Sequence, residues 1–242
     1  MKTVIVVPTY NESANIATLV KLIHKSVPAA QVLVVDDSSP DKTYDVVKGI
    51  MKKDKKLHLL KRPREIKGRG WAGRDGFVQA LKMGADMVVE MDADLSHQPK
   101  YIPVFIKLIA SGQADVVLGS RYMVGGKDID RPFYRQITSN FAKNYLKVVL
   151  GLKAQDPTSG FRAYSKDALL KIKVKTLSAR DPFTVSEILY RCYRAKLKIK
   201  ETPIVFIDRT QGESKLQITT LIKYLARALT LRLGPNPLTS SK

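Results

Sequence analysis

Apolar and polar positions alternate in two rhythms along this chain. Residues 3–7 form a short β-branched run ended by Pro8, the pattern of a strand buried on both faces. Residues 13–26 then place Ile16, Leu19, Val20 and Ile23 at helical spacing, and residues 31–35 return to a β-branched run. The alternation continues. Val46, Val47, Ile50 and Met51 mark a second helix, 57–60 a third strand, and 77–83 the end of a third helix. Residues 87–91 read as a fourth strand, Ile102, Phe105, Ile106 and Ile109 as a helix, and 115–119 as a further strand. This succession predicts an α/β fold with a mostly parallel central sheet and helices on both faces. Ligands in such sheets bind at the carboxyl ends of the strands.

The second half is less regular. A helix is expected over 134–150, a Pro-, Ser- and Gly-containing loop over 155–162, a helix over 184–194 and a strand over 202–207. The last element, 218–233, stops at Gly234-Pro235. Its residues Ile218, Leu221, Ile222, Leu225 and Leu229 share one helical face, with Lys223, Arg227 and Arg232 off it. Such a basic amphipathic helix suits either a membrane interface or packing on the domain.

Polar clusters fall where the strands end. Asp92-Ala93-Asp94 follows an apolar run directly, and in extended chain residues i and i+2 point the same way. Two carboxylates so placed suit Mg²⁺ or Mn²⁺, or else cap a turn. Asp36-Asp37-Ser38-Ser39-Pro40-Asp41 is a second acidic cluster, suited to a base N–H or ribose hydroxyls, or to a turn followed by a helix cap. Between them, residues 61–74 carry Arg62, Arg64, Lys67, Gly68, Arg69 and Gly70, a phosphate-binding loop or a solvated one. Arg121, Arg131, Arg135, Arg162, Arg209 and Lys215 sit near element ends and would bind phosphate only if several converge.

Composition narrows the partners. The 242 residues are 44% hydrophobic and 26% charged, which fits a folded protein with a full core. The formal charge of +20 favours anionic partners: nucleotide diphosphates, phospholipid surfaces or nucleic acid. A single cysteine, Cys192, forms no intramolecular disulfide and fits a reducing compartment. Residues 1–7 lack the longer apolar stretch of a signal peptide, and no window reads as a membrane span.

Three blocks in order carry a resemblance. Pro8-Thr9-Tyr10-Asn11-Glu12, Val34-Val35-Asp36-Asp37-Ser38-Ser39-Pro40-Asp41 and Met91-Asp92-Ala93-Asp94-Leu95-Ser96-His97 resemble the family 2 glycosyltransferases. Gly119-Ser120-Arg121-Tyr122, Asp156-Pro157-Thr158-Ser159-Gly160-Phe161-Arg162, and Asp208-Arg209 with Gly212-Glu213-Ser214-Lys215-Leu216 look like the dolichyl-phosphate mannose synthase branch. The resemblance implies a GT-A fold over residues 1–216, with 217–242 a C-terminal basic helix and tail. It implies mannose transfer with inversion from GDP-mannose, or another nucleotide sugar, to dolichyl or polyprenyl phosphate. Carried over by position, Pro8, Tyr10, Glu12, Asp36, Asp37, Gly68, Asp92 and Ala93 bind the nucleotide sugar, and Asp92 and Asp94 hold the metal. Asp94, Arg121, Arg209 and Lys215 act in catalysis, and Arg121, Arg135, Arg209 and Lys215 hold the acceptor phosphate. The chain departs from the family in two places: Ser96 stands where Gln is frequent, and Asp181-Pro182-Phe183-Thr184-Val185-Ser186-Glu187 replaces a Gly-Tyr-x-Phe-Gln-x-Glu block that the resemblance places near the acceptor side.

The expected setting is the cytoplasm, at the cytosolic face of a membrane, with a membrane-spanning subunit as a candidate partner. Glucosyl transfer from UDP-glucose is the neighbouring alternative. A nucleic-acid-binding protein is the alternative from another class, because residues 52–74 hold ten Lys or Arg. No nucleic-acid module is recognisable, so no nucleic acid is expected as partner. A nucleotide-binding subunit without turnover is the third alternative.

Overall fold

The computed structural model describes residues 1–129, 133–207 and 218–239, without the side chains of residues 66, 133–137 and 218–221. Strand β1 (Thr3–Thr9) is an interior strand of the sheet, buried along almost its whole length. Its side chains alternate between two cores: Ile5 and Val7 join one, Val4 and Val6 the other. Strand β2 (Gln31–Asp36) repeats this with Val32 and Val34 on one face and Leu33 and Val35 on the other. A strand of β-branched residues apolar on both faces is stable only with helices above and below it.

Those helices are α1 (Ile16–Ser26), α2 (Thr43–Met51) and α4 (Ile102–Ala110) on one face and α3 (Arg69–Lys82) on the other. Strands β3 (Leu57–Lys61), β4 (Met87–Glu90), β5 (Val116–Ser120), β7 (Arg162–Ser165) and β8 (Ile199–Pro203) complete a seven-stranded sheet of order β3-β2-β1-β4-β7-β5-β8. All neighbours run parallel except around β7, which is antiparallel to both β4 and β5. The chain moves outward from β1 to β3 and then returns to the far side of β1 with β4. That reversal opens a crevice between the carboxyl ends of β1 and β4. The mostly parallel sheet expected from the sequence is therefore present.

Two expectations are corrected. The run 202–207 is not one strand: β8 ends at Pro203, and β9 (Val205–Ile207) pairs instead with β6 (Lys127–Ile129). Pro203 cannot donate to the ladder, and Ile204 turns into the core between the strands. The loop expected over 155–162 ends in β7, whose four residues are placed by pairing with Met87–Glu90 rather than by any periodicity of their own.

Helix α3 seats closely on the sheet through its glycines. A Cβ on Gly76 would overlap the Val6 side chain, and one on Gly73 would stand 2.7 Å from Glu90 Oε1. Gly76→Ala is expected to destabilise the fold by about 1–3 kcal/mol through overpacking. Thermal denaturation measures this, and an unchanged midpoint would contradict the close seating.

The short helix α6 (Lys166–Lys171) follows β7, and helix α5 (Phe133–Leu150), helix α7 (Thr184–Arg194) and the terminal helix α8 (Ile218–Leu233) form a third core with Leu146, Leu189 and Ala228. Tyr145 donates to the Leu225 carbonyl, and Tyr224 packs edge-on against Phe183 while its hydroxyl meets Ser186. So α8 packs on the domain. It keeps Ile222, Leu229 and Leu233 exposed. Among the described residues, no helix is long and apolar enough to cross a membrane.

Candidate active site

The loops after β1, β2 and β4 each bend through a left-handed residue: Asn11 (φ 62°), Ser38 (φ 52°) and Leu95 (φ 65°). Such conformations are costly for residues other than glycine and persist where surrounding contacts fix them. Here those contacts are between the loops. The backbone N–H groups of Asn11, Glu12 and Ser13 donate to Ser39 Oγ, Thr43 Oγ1 and Asp41 Oδ2 at 3.1, 3.0 and 2.9 Å. Asp41 is thus a turn cap. Burial alone would raise its carboxyl, but the hydrogen bonds from Thr43 and Ser13 hold it below its ordinary value.

Asp36 and Asp37 have opposite fates. Asp36 is fully buried and accepts from Thr9 Oγ1, Ser39 N and Ser39 Oγ at 2.9, 2.9 and 2.6 Å. It knits the turn, while the cavity wall at this point is formed by Asp37. Asp37 lines the cavity, pairs with Arg62 and accepts the Gly68 N–H at 2.9 Å. Arg62 also donates to Asp75 at 2.9 Å and is buried. The basic loop is therefore only partly a phosphate loop: Arg62 holds carboxylates, and the Gly68 and Gly70 N–H groups are taken by Asp37 and the Arg180 carbonyl.

The crevice is a cavity of about 820 Å³. Pro8, Tyr10, Glu12, Asp37, Gly68, Asp92, Ala93, Asp94 and Arg121, all expected at the site, line it. A volume of this order suits a nucleotide-sized ligand. The opposite wall is mostly apolar: Pro182 and Val185 come from the replaced block 181–187, and Ala142 of α5 and Tyr224 of α8, which sequence reasoning missed, complete it. The replaced block 181–187 thus does face the site. Arg209 and Lys215 lie outside the described residues, as does Arg131, and Arg135 lies on α5 with its side chain outside the description.

Asp92 and Asp94 follow β4. Asp92 accepts from Arg69 Nη2 at 2.9 Å, and Asp94 accepts from the Ser96 N–H at 3.2 Å and from its hydroxyl. Ser96 thus orients Asp94. His97 stacks on Phe161 with centroids 5.1 Å apart, and its Nδ1 accepts the Asp92 N–H at 3.1 Å. Burial depresses the His97 pKa despite the nearby carboxylates, so the ring is neutral at pH 7. Gly160 faces this cluster: a Cβ there would stand 3.4 Å from Asp92 Oδ2. Among the described residues no group of three or more His, Cys, Asp or Glu gathers to cage an ion. The arrangement instead fits a cation bound by two carboxylates, with ligand and water oxygens completing its shell.

Arg121 is held by Asp156. Its Nε and Nη2 donate to the two carboxylate oxygens at 2.7 and 2.9 Å, and Nη2 also reaches Thr158 Oγ1 at 2.9 Å. Burial would raise the Asp156 carboxyl, but the adjoining guanidinium outweighs it and holds Asp156 below the ordinary range. The β6–β9 pair adds the Phe206 ring 5.3 Å from the guanidinium carbon and Asp128 3.9 Å from Nη1. Arg162, by contrast, is no phosphate ligand. It is fully buried and donates to the carbonyls of Ser159, Pro157 and Val185, bracing the loop that carries Thr158 and Gly160.

The comparisons with known proteins agree with this geometry. Residues 4–173 match the Glycosyl transferase family 2 model. The undecaprenyl-phosphate mannosyltransferase of Micrococcus luteus is 37% identical over 89% of this chain and 88% of its own length. The polyprenol monophosphomannose synthase of Mycolicibacterium smegmatis is 33% identical over 89% of this chain and 81% of its own. Among solved structures, glucosyl-3-phosphoglycerate synthase from Mycobacterium tuberculosis, crystallised with Mn²⁺, UDP and phosphoglyceric acid, superposes with a TM-score of 0.70 at 18% identity, covering 97% of this chain and 80% of that one. That likeness establishes the GT-A fold, and the family match together with two relatives above 30% identity establishes that this chain belongs to the family 2 glycosyltransferases.

Proposed function

We propose that the protein transfers mannose from GDP-mannose to a polyprenyl phosphate, dolichyl phosphate among the candidates, with inversion and with Mg²⁺ or Mn²⁺ bound at Asp92 and Asp94. The observation that carries this reading is the shared cavity. Carboxylates Asp92 and Asp94 and the fixed guanidinium of Arg121 line the same space as the apolar wall of Ala142, Pro182 and Val185. A donor needs the first group, a lipid phosphate the other two. The names of the two curated relatives support the mannosyl and polyprenyl parts, and the Mn²⁺ in the structural neighbour supports the metal.

The chemistry requires little proton transfer. An acceptor phosphate is already anionic near neutral pH, so alignment and charge neutralisation matter more than a general base. One phosphate oxygen forms a bond to the anomeric carbon as the bond from that carbon to the GDP oxygen breaks, and GDP departs with the electron pair. A bound divalent cation supplies charge neutralisation to the departing diphosphate. Asp37 and Tyr10 border the donor side, and Arg121, oriented by Asp156, presents its charge to the acceptor phosphate. The family resemblance adds Arg135, Arg209 and Lys215 to the acceptor side and assigns 1–216 to catalysis. Because Tyr224 lines the cavity, the terminal helix also shapes the site. The exposed Phe141 and Val148 of α5 and Ile222, Leu229 and Leu233 of α8 support peripheral seating on the cytosolic face of a membrane.

Incubation with GDP-mannose, dolichyl phosphate and Mn²⁺ is expected to give mannosylated lipid and GDP, with UDP-glucose giving far less product. Equal or better transfer from UDP-glucose would reassign the sugar. No transfer from either donor to any polyprenyl phosphate would reject the reading.

A further inference from the structure

Arg69 is the first residue of α3, and its guanidinium lies between two carboxylates of the β4 segment. Nη1 donates to Glu90, and Nη2 donates to Asp92 Oδ1 at 2.9 Å. Glu90 is buried, and Arg69 is its ion-pair partner. The other end of the fork borders the site: a Cβ on Gly160 would stand 3.5 Å from Arg69 Nη2 and 3.4 Å from Asp92 Oδ2. Arg69, Asp92 and Gly160 all line the cavity. A cation bound by Asp92 would therefore share that carboxylate with a fixed guanidinium.

We propose that Arg69 is a positioning residue that shares Asp92 with the divalent cation and makes cation binding conditional on the donor's diphosphate. This rests on the metal-site reading given above. Two cations on one carboxylate repel each other, so Arg69 lowers the affinity of the empty site for metal. A diphosphate beside them brings negative charge that interacts favourably with both and relieves the repulsion. By linkage, the metal then strengthens nucleotide binding by the same factor. Arg69 also fixes the Asp92 carboxylate through a planar fork, which a lysine does less rigidly.

The test is Mn²⁺ binding to the full chain, followed by electron paramagnetic resonance with and without GDP. Removing Arg69 alone would strand Glu90 in the interior, so E90Q and E90Q/R69M are compared. In wild type and E90Q, GDP is expected to tighten Mn²⁺ binding about tenfold or more, within the usual span of coupling between sites. In E90Q/R69M, Mn²⁺ alone is expected to bind about tenfold tighter than in E90Q, with the GDP effect reduced to about threefold or less. Arg69→Lys should keep most of the coupling, because the charge remains. Should the double variant fail to melt cooperatively, E90Q/R69Q carries the same comparison against E90Q. Unchanged or weaker binding of Mn²⁺ alone, with unchanged coupling, overturns the inference while leaving the metal site standing. Absence of Mn²⁺ binding to wild type, with or without GDP, overturns both.

Discussion

Replacing Asp94 by Ala is expected to lower the rate of sugar transfer by about a thousandfold, on the scale of several kcal/mol that a catalytic cation supplies. The fold should survive, because Asp94 sits in a loop after β4 and accepts there from the Ser96 N–H and hydroxyl of its own turn. Ser96 is buried, so its lost acceptor would cost about 1–2 kcal/mol, visible as a small drop in melting temperature. Asp92→Ala should lose as much activity for the same reason, while Arg69 keeps Glu90 as its partner. Initial rates at saturating donor, alongside thermal melts, separate catalysis from stability. Activity within tenfold of wild type in both variants would remove the metal from Asp92 and Asp94.

The second large effect concerns the buried pair of Arg121 and Asp156 beside the cavity. Asp156→Ala strips Arg121 of its bidentate partner, and breaking a buried pair from one side costs about 3–5 kcal/mol. For a chain of this size that corresponds to a fall of roughly 10 °C in melting temperature. The effect depends on pH in a definite sense. The folded Asp156 carboxyl lies below its unfolded value, so its stabilisation is complete above about pH 4 and is lost as pH falls through the folded value. Asp156→Asn should therefore be less stable than wild type at pH 7 and converge with it in acid. Urea midpoints measured across that range check this, and a constant difference down to the most acidic pH would contradict the pairing. Activity should fall as well, since Arg121 would no longer be held towards the cavity.

The first half of the fold was legible because each central strand is a run of β-branched residues ended by a polar cluster. Those clusters landed at the crevice between β1 and β4. Periodicity could not decide between Asp36 and Asp37. Neighbours on a strand point to opposite sides, and which side meets the cavity depends on the helices laid against the sheet. Arg62 and Arg162 looked like phosphate ligands because their types are right, yet tertiary contacts with Asp37 and with three carbonyls bury both. Strand β7 was hidden for a related reason: a four-residue strand among turn formers is specified by its partners. The rest of the apolar wall was missed because Ala142 and Tyr224 belong to helices that read as ordinary core or surface helices.

The reversed strand has a consequence for how the molecule comes into being. Glu90 pairs with Arg162, and Leu118 pairs with the same residue from the other side. The sheet's middle thus waits for a segment made some seventy residues after the strand it joins. Until then a nascent chain exposes an unsaturated β4 edge of Met87, Val88 and Val89, all apolar. Closing so long a loop is slow, and slow long-range closure prolongs exposure to self-association during synthesis. The strands that carry Asp92 and Arg121 are thereby joined by one late event, so a chain stopped before β7 would hold both groups without the strand that sets them side by side.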